Sequence, residues 1–419
     1  MPESLPRVEI ITERPKLIAG RDQTIDVLLR ITPPEFDTSK PPRPKLNLSL
    51  VLDRSGSMGG VKMQRAREAT VYCVDELLPT DQLSVVVFDE HIDTLVPSQL
   101  VTNKAMMKDL ISRVNSRGST ALHEAWVRGG MEVSEHLFDE GVNRVILITD
   151  GQANVGVTSA DEIVSQALGL FKRGVSTSTI GIGDDFNEDL LLPMAQSAGG
   201  NAWHVAEAGD MQRIFQVELQ GLVAQFGHSV TLGLMPADGV RIVDLLNDFE
   251  LTENGRYRLP NLTAGSPLEI VLQLKAPAQQ RGSQLRLLDL TLGFTRQEAK
   301  TADVLPQAFT LEFADESDVN SLPVDPEVAR AVRFLMNARA RVEAMRRIDL
   351  EDYVGAEAML ASSVAATRVA CAPMASRSDV MAECASMEEV QSSLKDRLLD
   401  KMSRKKLAYA SYNRRSGKD

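Results

Sequence analysis

The sequence predicts an α/β fold: a doubly wound, mostly parallel sheet inserted between segments of a β-sandwich and followed by a helical C-terminal region. Three observations predict it. From Leu46 to about residue 226, short apolar runs alternate with amphipathic helical patterns. Period-two strand patterns stand on both sides of that stretch, and helical spacing takes over beyond Pro323.

The first strands lie between residues 7 and 31. Ile25, Val27, Leu29 and Ile31 alternate with Asp26, Leu28 and Arg30, which marks one buried face. The Gly20–Arg21–Asp22 turn separates them from an earlier strand around Val8 to Ile11. Pro33, Pro34, Pro41, Pro42 and Pro44 then make a connector unsuited to helix or central strand. At Leu46 the stretch LNLSLVLDRSGSM begins as an almost wholly apolar strand and stops at Asp53, as expected of a strand covered on both faces. A helix with Ala66, Thr70, Cys73 and Leu77 on one face follows, then a strand from Leu83 to Phe88. A turn at Glu90–His91 leads to an antiparallel neighbour, Ile92 to Val96. Met107, Leu110, Ile111 and Val114 place a helix before the polar loop RGST, and Leu122, Trp126, Gly129, Val133 and Leu137 trace another after it. Val145 to Thr149 is a strand ending at Asp150. Ser159 caps a helix to about Phe171, with Asp161 and Glu162 in its first turn. Val175 to Ile182, Asn201 to Val205 and a helix from Met211 to Phe226 complete the unit.

Strand patterns return in Val230–Leu232–Leu234, in Leu268 to Leu274 and in Leu288 to Phe294. The N-terminal strands are too few to be stable alone, so they are expected to pair with these later ones. The domain boundaries that result are 1–45 for the N-terminal β-segment and linker, 46–226 for the α/β domain, 227–318 for the rest of the sandwich and 319–419 for the helices. Within the last, Val328 to Ile348, Tyr353 to Val364 and Val390 to Leu398 carry helical faces, with CAPMASRS as a loop between the second and third.

A net charge of −12 on 419 residues argues against non-specific binding to nucleic acid. Lys401, Arg404, Lys405, Lys406, Arg414, Arg415 and Lys418 reverse the sign locally; a solvated basic tail is the preferred reading over a docking patch for an acidic partner. Cys73, Cys371 and Cys384 have no metal-type spacing, and Cys73 falls on an apolar helix face. The N-terminal segment lacks the pattern of a signal peptide, and no apolar run reaches bilayer-spanning length, so a cytoplasmic location is expected.

The chemistry concentrates where strands end. Ligands of open α/β sheets collect beyond the carboxyl ends of the strands, where Asp53 and Asp150 stand. Asp53, Ser55 and Ser57 offer hard oxygen donors at alternate positions, which suits Mg²⁺ better than zinc or copper. Capping of the following helix by Asp53 and Ser55 is the competing reading. With Thr120 in the RGST loop and Asp150 added, the constellation closely resembles a von Willebrand factor A domain, a Rossmann-like fold, with an intact metal-ion-dependent adhesion site of the bacterial cytoplasmic type. The segments DRSGSM, GSTALHEA, ITDGQANVG and GIGDDFNEDLL carry the likeness. The resemblance implies that Ser55, Ser57 and Thr120 bind Mg²⁺ (alternatively Mn²⁺ or Ca²⁺) directly, that Asp53 and Asp150 act through waters, and that a protein partner's Asp or Glu completes the shell. It implies an intracellular scaffold or adaptor rather than an enzyme. The alternatives are a subunit of an AAA+ ATPase machine of MoxR or chelatase type and a phosphohydrolase with Asp53 as nucleophile; an AAA+ ATPase or a kinase–phosphatase system is the partner that the family analogy suggests. Against the last, Ser55 stands where haloacid dehalogenase-type phosphatases want a second Asp.

Overall fold

The computed structural model describes residues 5–35, 43–139, 141–296, 299, 301–395 and 401–417; Pro41, Pro42, Leu398 and Lys418 lie outside them. Three strands come first: β1 (Arg7–Thr12), β2 (Lys16–Ile18) and β3 (Gln23–Thr32). The α/β unit then runs β4 (Lys45–Asp53), α1 (Val61–Glu76), β5 (Gln82–Phe88), β6 (Ile92–Leu100), α2 (Lys104–Ser112), α3 (Leu122–Ser134), β7 (Gly141–Thr149), α4 (Ala160–Phe171), β8 (Ser176–Ile182), α5 (Glu188–Ser197), β9 (Gly199–Val205) and α6 (Met211–Val223).

Its sheet has the order β6-β5-β4-β7-β8-β9, with only β6 antiparallel. The central strand β4 is buried from Leu46 to Asp53, as its continuous apolar character requires when helices cover both faces of a sheet. Leu46, Leu48, Leu50 and Leu52 belong to one core cluster together with Ala66, Cys73 and Leu77 of the α1 side. Each such leucine contributes about 1.5–3 kcal/mol by burial. Its buried Asn47 ties β4 to the α3 side: Nδ2 donates toward the carbonyls of Val133 and His136 and toward Asn143 Oδ1. The helix α5 carries Pro193 within it and buries Leu190, Leu191 and Met194.

On the far side of the same sheet a buried ion pair fastens α6. Glu218 Oε1 accepts from Arg144 Nη1 at 3.0 Å and Ser178 Oγ at 2.6 Å, and its Oε2 accepts from Asn201 Nδ2 at 2.6 Å and Trp203 Nε1 at 2.7 Å. Burial alone would raise the Glu218 carboxyl, but the Arg144 charge and these hydrogen bonds outweigh it and hold the carboxyl below its usual range.

The remaining strands are β10 (Gln225–Pro236), β11 (Arg241–Leu245), β12 (Tyr257–Arg258), β13 (Leu262–Thr263), β14 (Leu268–Ala276), β15 (Gln284–Arg296) and β16 (Ala302–Ala314). They form two sheets with the N-terminal strands, β1-β3-β14-β11 and β12-β10-β15-β16-β2, with β13 paired to β10. Val27, Leu29 and Ile31 of β3 meet Leu288, Leu290 and Leu292 of β15 in one core cluster, so the two sheets face each other. This is the fold class expected from the sequence. Two details differ. Strand β16 carries Pro306, which is tolerated because β2 pairs only with Glu312 to Ala314 and leaves the Pro306 stretch with a neighbour on one side. Leu28 is as buried as Leu29, because the other face of its sheet is covered by helix.

Among the described residues, the helices that follow are α7 (Glu316–Ser321), α8 (Pro326–Asp349), α9 (Tyr353–Ala370), α10 (Ser378–Lys395) and α11 (Lys401–Ser416). Asp325 caps α8 by accepting from the Glu327 N–H, and Pro326 occupies the first turn, where a missing N–H costs nothing. Val328, Ala331, Val332 and Leu335 then cover Leu28 and Val271. The basic C-terminal segment is not a solvated tail. It is helix α11, with Leu407, Tyr409 and Tyr412 buried and Ser411 Oγ donating to the Ala338 carbonyl of α8 at 2.9 Å. Its cations are paired: Arg404 with Asp349, Lys406 with Glu389, Arg414 with Glu383, and Arg415 with Asp248. A charge run that reads as a solvated face hid a helix whose apolar residues fill the gaps between the charges. Among the described residues, no helix is long and apolar enough to cross a membrane.

Glu218→Ala leaves Arg144 charged, buried and unpaired, and is expected to cost about 3–5 kcal/mol in urea unfolding. A loss under about 1 kcal/mol would mean that the pair does not secure α6.

Candidate functional site

At the carboxyl edge of the parallel sheet, β4 ends in Asp53 and β7 leads into Asp150, both without exposed surface. Asp53 Oδ1 accepts from the Ser55 N–H at 2.7 Å, which forces the chain to turn after the strand. Its Oδ2 accepts from Thr149 Oγ1 at 2.5 Å, so the ends of two adjacent strands are tied through one carboxylate. Ser55 Oγ lies 3.1 Å from Ser57 Oγ, and Ser57 Oγ donates to Asp150 Oδ1 at 2.8 Å. Thr120 is almost fully buried in the loop before α3. A methyl group placed on Gly151 would lie 3.3 Å from Thr120 Oγ1 and 3.7 Å from Asp53 Oδ2, so hydroxyl and carboxylate border the same small space. The structure therefore brings Asp53, Ser55, Ser57, Thr120 and Asp150 together from three loops.

Backbone hydrogen bonds hold those loops in place. Gly56 N–H donates to the Gly118 carbonyl at 3.0 Å, and Arg117 N–H donates to the Arg54 carbonyl at 2.6 Å. Thr120 N–H donates to Asn154 Oδ1 at 3.0 Å, while Asn154 N–H returns a bond to the Thr120 carbonyl at 3.3 Å. The height of the Thr120 loop is set by how closely α3 lies on β4. At Gly129 a side chain would come 2.4 Å from Val51 Cγ2 and 3.0 Å from Ser49 Oγ, closer than real atoms pack. Gly129 lets helix and strand touch.

The von Willebrand factor type A family matches residues 47–217. Residues 47–217 form a von Willebrand factor type A domain. Among curated relatives, a protein of Synechocystis sp. is 31% identical over 171 residues, covering 41% of this chain and 40% of its own. The human inter-alpha-trypsin inhibitor heavy chain H4 is 30% identical over 174 residues, 39% of this chain and 18% of that one. The chain thus spans well under half the length of these relatives. Among solved structures, the von Willebrand factor type A protein from Catenulispora acidiphila superposes with a TM-score of 0.72 at 17% identity over 98% of this chain and 97% of that one. The ArnB paralog VWA2 from Sulfolobus acidocaldarius gives 0.61 at 15% identity over 99% and 100%. These likenesses extend the shared fold beyond the A domain to the whole chain.

The electrostatics of the A domain's edge follow from burial. Burial pushes the Asp53 carboxyl up to about 6, although hydrogen bonds from Thr149 and Ser55 pull the other way; the charge of Asp150 adds to the rise. Two buried carboxylates bordered by hydroxyls call for positive charge, and hard oxygens of this kind fit a small divalent cation. Both Asp53 oxygens are engaged by neighbours, which is a poor posture for a phosphohydrolase nucleophile. His123 lies just past Thr120 with Nε2 2.8 Å from Gln166 Oε1 and its ring tilted against Trp126. It packs a helix face.

Sequence reasoning missed a second group. Asp89, Glu90 and His91 bring three ligand-type atoms within 4.8 Å, the donor types of a divalent-cation site. Asp89 Oδ2, however, already accepts from Arg54 Nε at 2.9 Å and Arg117 Nε at 2.6 Å, and its Oδ1 from the His91 N–H at 2.7 Å. Burial alone would raise the Asp89 carboxyl, but these donors, Arg117 foremost, hold it near 2. The cluster is chiefly a clasp between the loops after β4 and before α3. Also missed were Thr149 and Lys62, whose Nζ lies 2.5 Å from Asp150 Oδ2. A cation in the first turn of a helix, where the dipole disfavours it, was the available signal for Lys62.

Two outcomes are expected. Gly129→Ala should gain up to about 1 kcal/mol of helix propensity but lose about 1–3 kcal/mol to overlap with the stiff Val51 side chain. The net, a destabilisation, is measurable by chemical unfolding. Asp89, with its folded value depressed from 3.8 to about 2, contributes stability that is present above about pH 4 and lost as pH falls toward 2. Asp89→Asn should therefore be less stable than wild type at neutral pH, with the difference in urea midpoint shrinking through that acid window; a pH-independent difference would contradict the ion-pair account.

Proposed function

We propose that this chain is a Mg²⁺-dependent protein-interaction module whose site is the loop cluster Asp53, Ser55, Ser57, Thr120 and Asp150. The observation that carries this reading is the convergence of five oxygen-bearing side chains on the one edge of the sheet where two carboxylates are buried. Ser55, Ser57 and Thr120 would be the direct ligands, with Asp53 and Asp150 acting through waters. Neutral hydroxyl ligands leave most of the ion's charge for an Asp or Glu of the partner, which gains a charge-assisted contact in a partly dry site. Mg²⁺ or Mn²⁺ suits the small cluster better than Ca²⁺, which takes more ligands at longer range. The three unpaired cysteines fit a reducing, cytoplasmic setting. A scaffold or adaptor role follows from the absence of any requirement for turnover in this chemistry, and an ATPase subunit or a kinase–phosphatase component would be a suitable source of the partner carboxylate.

At Mg²⁺ about 100-fold above the dissociation constant, ligand linkage adds about 2.7 kcal/mol to stability. For a domain of this size that corresponds to a rise of roughly 5–10 °C in melting temperature over EDTA. Thr120→Ala should blunt the rise. Capture of partners by wild type in Mg²⁺ should be lost in EDTA and with Asp53→Ala; identical partners and identical melting curves in every arm would refute the metal-bridged mechanism.

A further inference from the structure

The cation that the site already holds is its own. Asp150 has no exposed surface, and its two oxygens are shared between Ser57 Oγ at 2.8 Å and the Lys62 ammonium at 2.5 Å. Lys62 is the second residue of α1, whose first turn contains no acidic side chain. A lysine there works against the helix dipole, so the helix gains nothing from it. The other cationic side chain of that loop, Arg54, is turned to Asp89 and Asp93. Lys62 thus meets the buried charge of the metal site.

We propose that Lys62 is a tethered competitor of the divalent ion: its ammonium neutralises Asp150 in the metal-free protein and must leave before the ion is bound, so that it sets the ion concentration at which the site can accept a partner. The inference rests on the metal reading above. Its physical basis is that an ammonium and a dication cannot both stand against one buried carboxylate without strong repulsion. The side chain also has somewhere to go. Lys62 retains 30% of its side-chain exposure, and a four-carbon stem can carry the ammonium to water while the methylenes stay packed. Opposite it stands Gly183, where an added methyl would lie 3.5 Å from Lys62 Cε and 3.6 Å from Nζ. The stem therefore runs past a bare backbone rather than a confining side chain. Exchange of the ammonium for a dication also keeps a cation on Asp150 in both states, while Asp53 keeps its hydrogen bonds from Ser55 and Thr149.

The test is calorimetric titration of Mg²⁺ and Mn²⁺ into the full chain as wild type, Lys62→Met and Lys62→Arg. Lys62→Met keeps the length and removes the charge. It should bind either ion roughly tenfold more tightly than wild type, and its metal-free form should melt at a lower temperature. Lys62→Arg, which keeps the charge, should bind no more tightly than wild type. If wild type binds the ions and Lys62→Met binds them equally or more weakly, the competition is refuted while the metal site stands. If none of the three proteins binds either ion, the metal reading fails and the inference with it. A measurement on the wild type alone guards against a misfolded variant: reductive methylation of Lys62, followed by mass spectrometry, should rise severalfold when Mg²⁺ replaces EDTA. An unchanged rate in protein shown to bind the ion would overturn the proposal.

Discussion

Two carboxylates without solvent contact, Asp53 and Asp150, stand at the ends of adjacent parallel strands, and the arrangement around them follows from the need to compensate that charge. Desolvating a carboxylate is costly unless donors or cations surround it. Thr149, the Ser55 amide, Ser57 and Lys62 supply that surrounding from three different segments. Because these donors come from three segments, the charge also acts as a fastener: the turn after β4, the start of α1 and the end of β7 are held to one another.

The loop carrying Thr120 is positioned by packing rather than by charge. Gly129 allows α3 to lie directly on β4, and the backbone bonds from Gly56 and Arg117 then bring the preceding loop level with the serines. The clasp of Arg54, Asp89 and Arg117 adds an ionic lock between the same two loops. Outside the A domain, β3 shows the same economy. Its inward residues join the sandwich core, and its outward Leu28 and Arg30 receive α8, the latter through Glu269 and Glu327. A strand that looked one-sided in its alternation is covered on both faces.

Much of this was legible in the residues alone, for a physical reason: local pattern is a short-range property. A continuous apolar run such as Leu46 to Leu52 belongs to a two-faced strand, and an abrupt stop at Asp53 followed by small hydroxyl residues marks a loop at the sheet edge. The five oxygen-bearing residues could be gathered because their segments resemble the metal-ion-dependent adhesion site of a known family, each lying just beyond or between such elements. What the pattern could not reveal were partners distant in sequence. Thr149 reads as the last residue of a strand until its hydroxyl is seen on Asp53, 96 positions away. Lys62 reads as one more solvated cation until its ammonium is seen on Asp150, 88 positions away.

The sequence by itself determined the alternation of strands and helices, the sandwich segments around them and the identity of the candidate oxygen donors. Tertiary structure alone decided that the basic C-terminal residues form a packed helix, because charge density says nothing about which carboxylates of other helices and strands will face it. It also decided where the buried charge is neutralised. Burial is a property of neighbours brought together by folding, so two aspartates sealed at one sheet edge, with a lysine on Asp150, have no signature in any single stretch of chain.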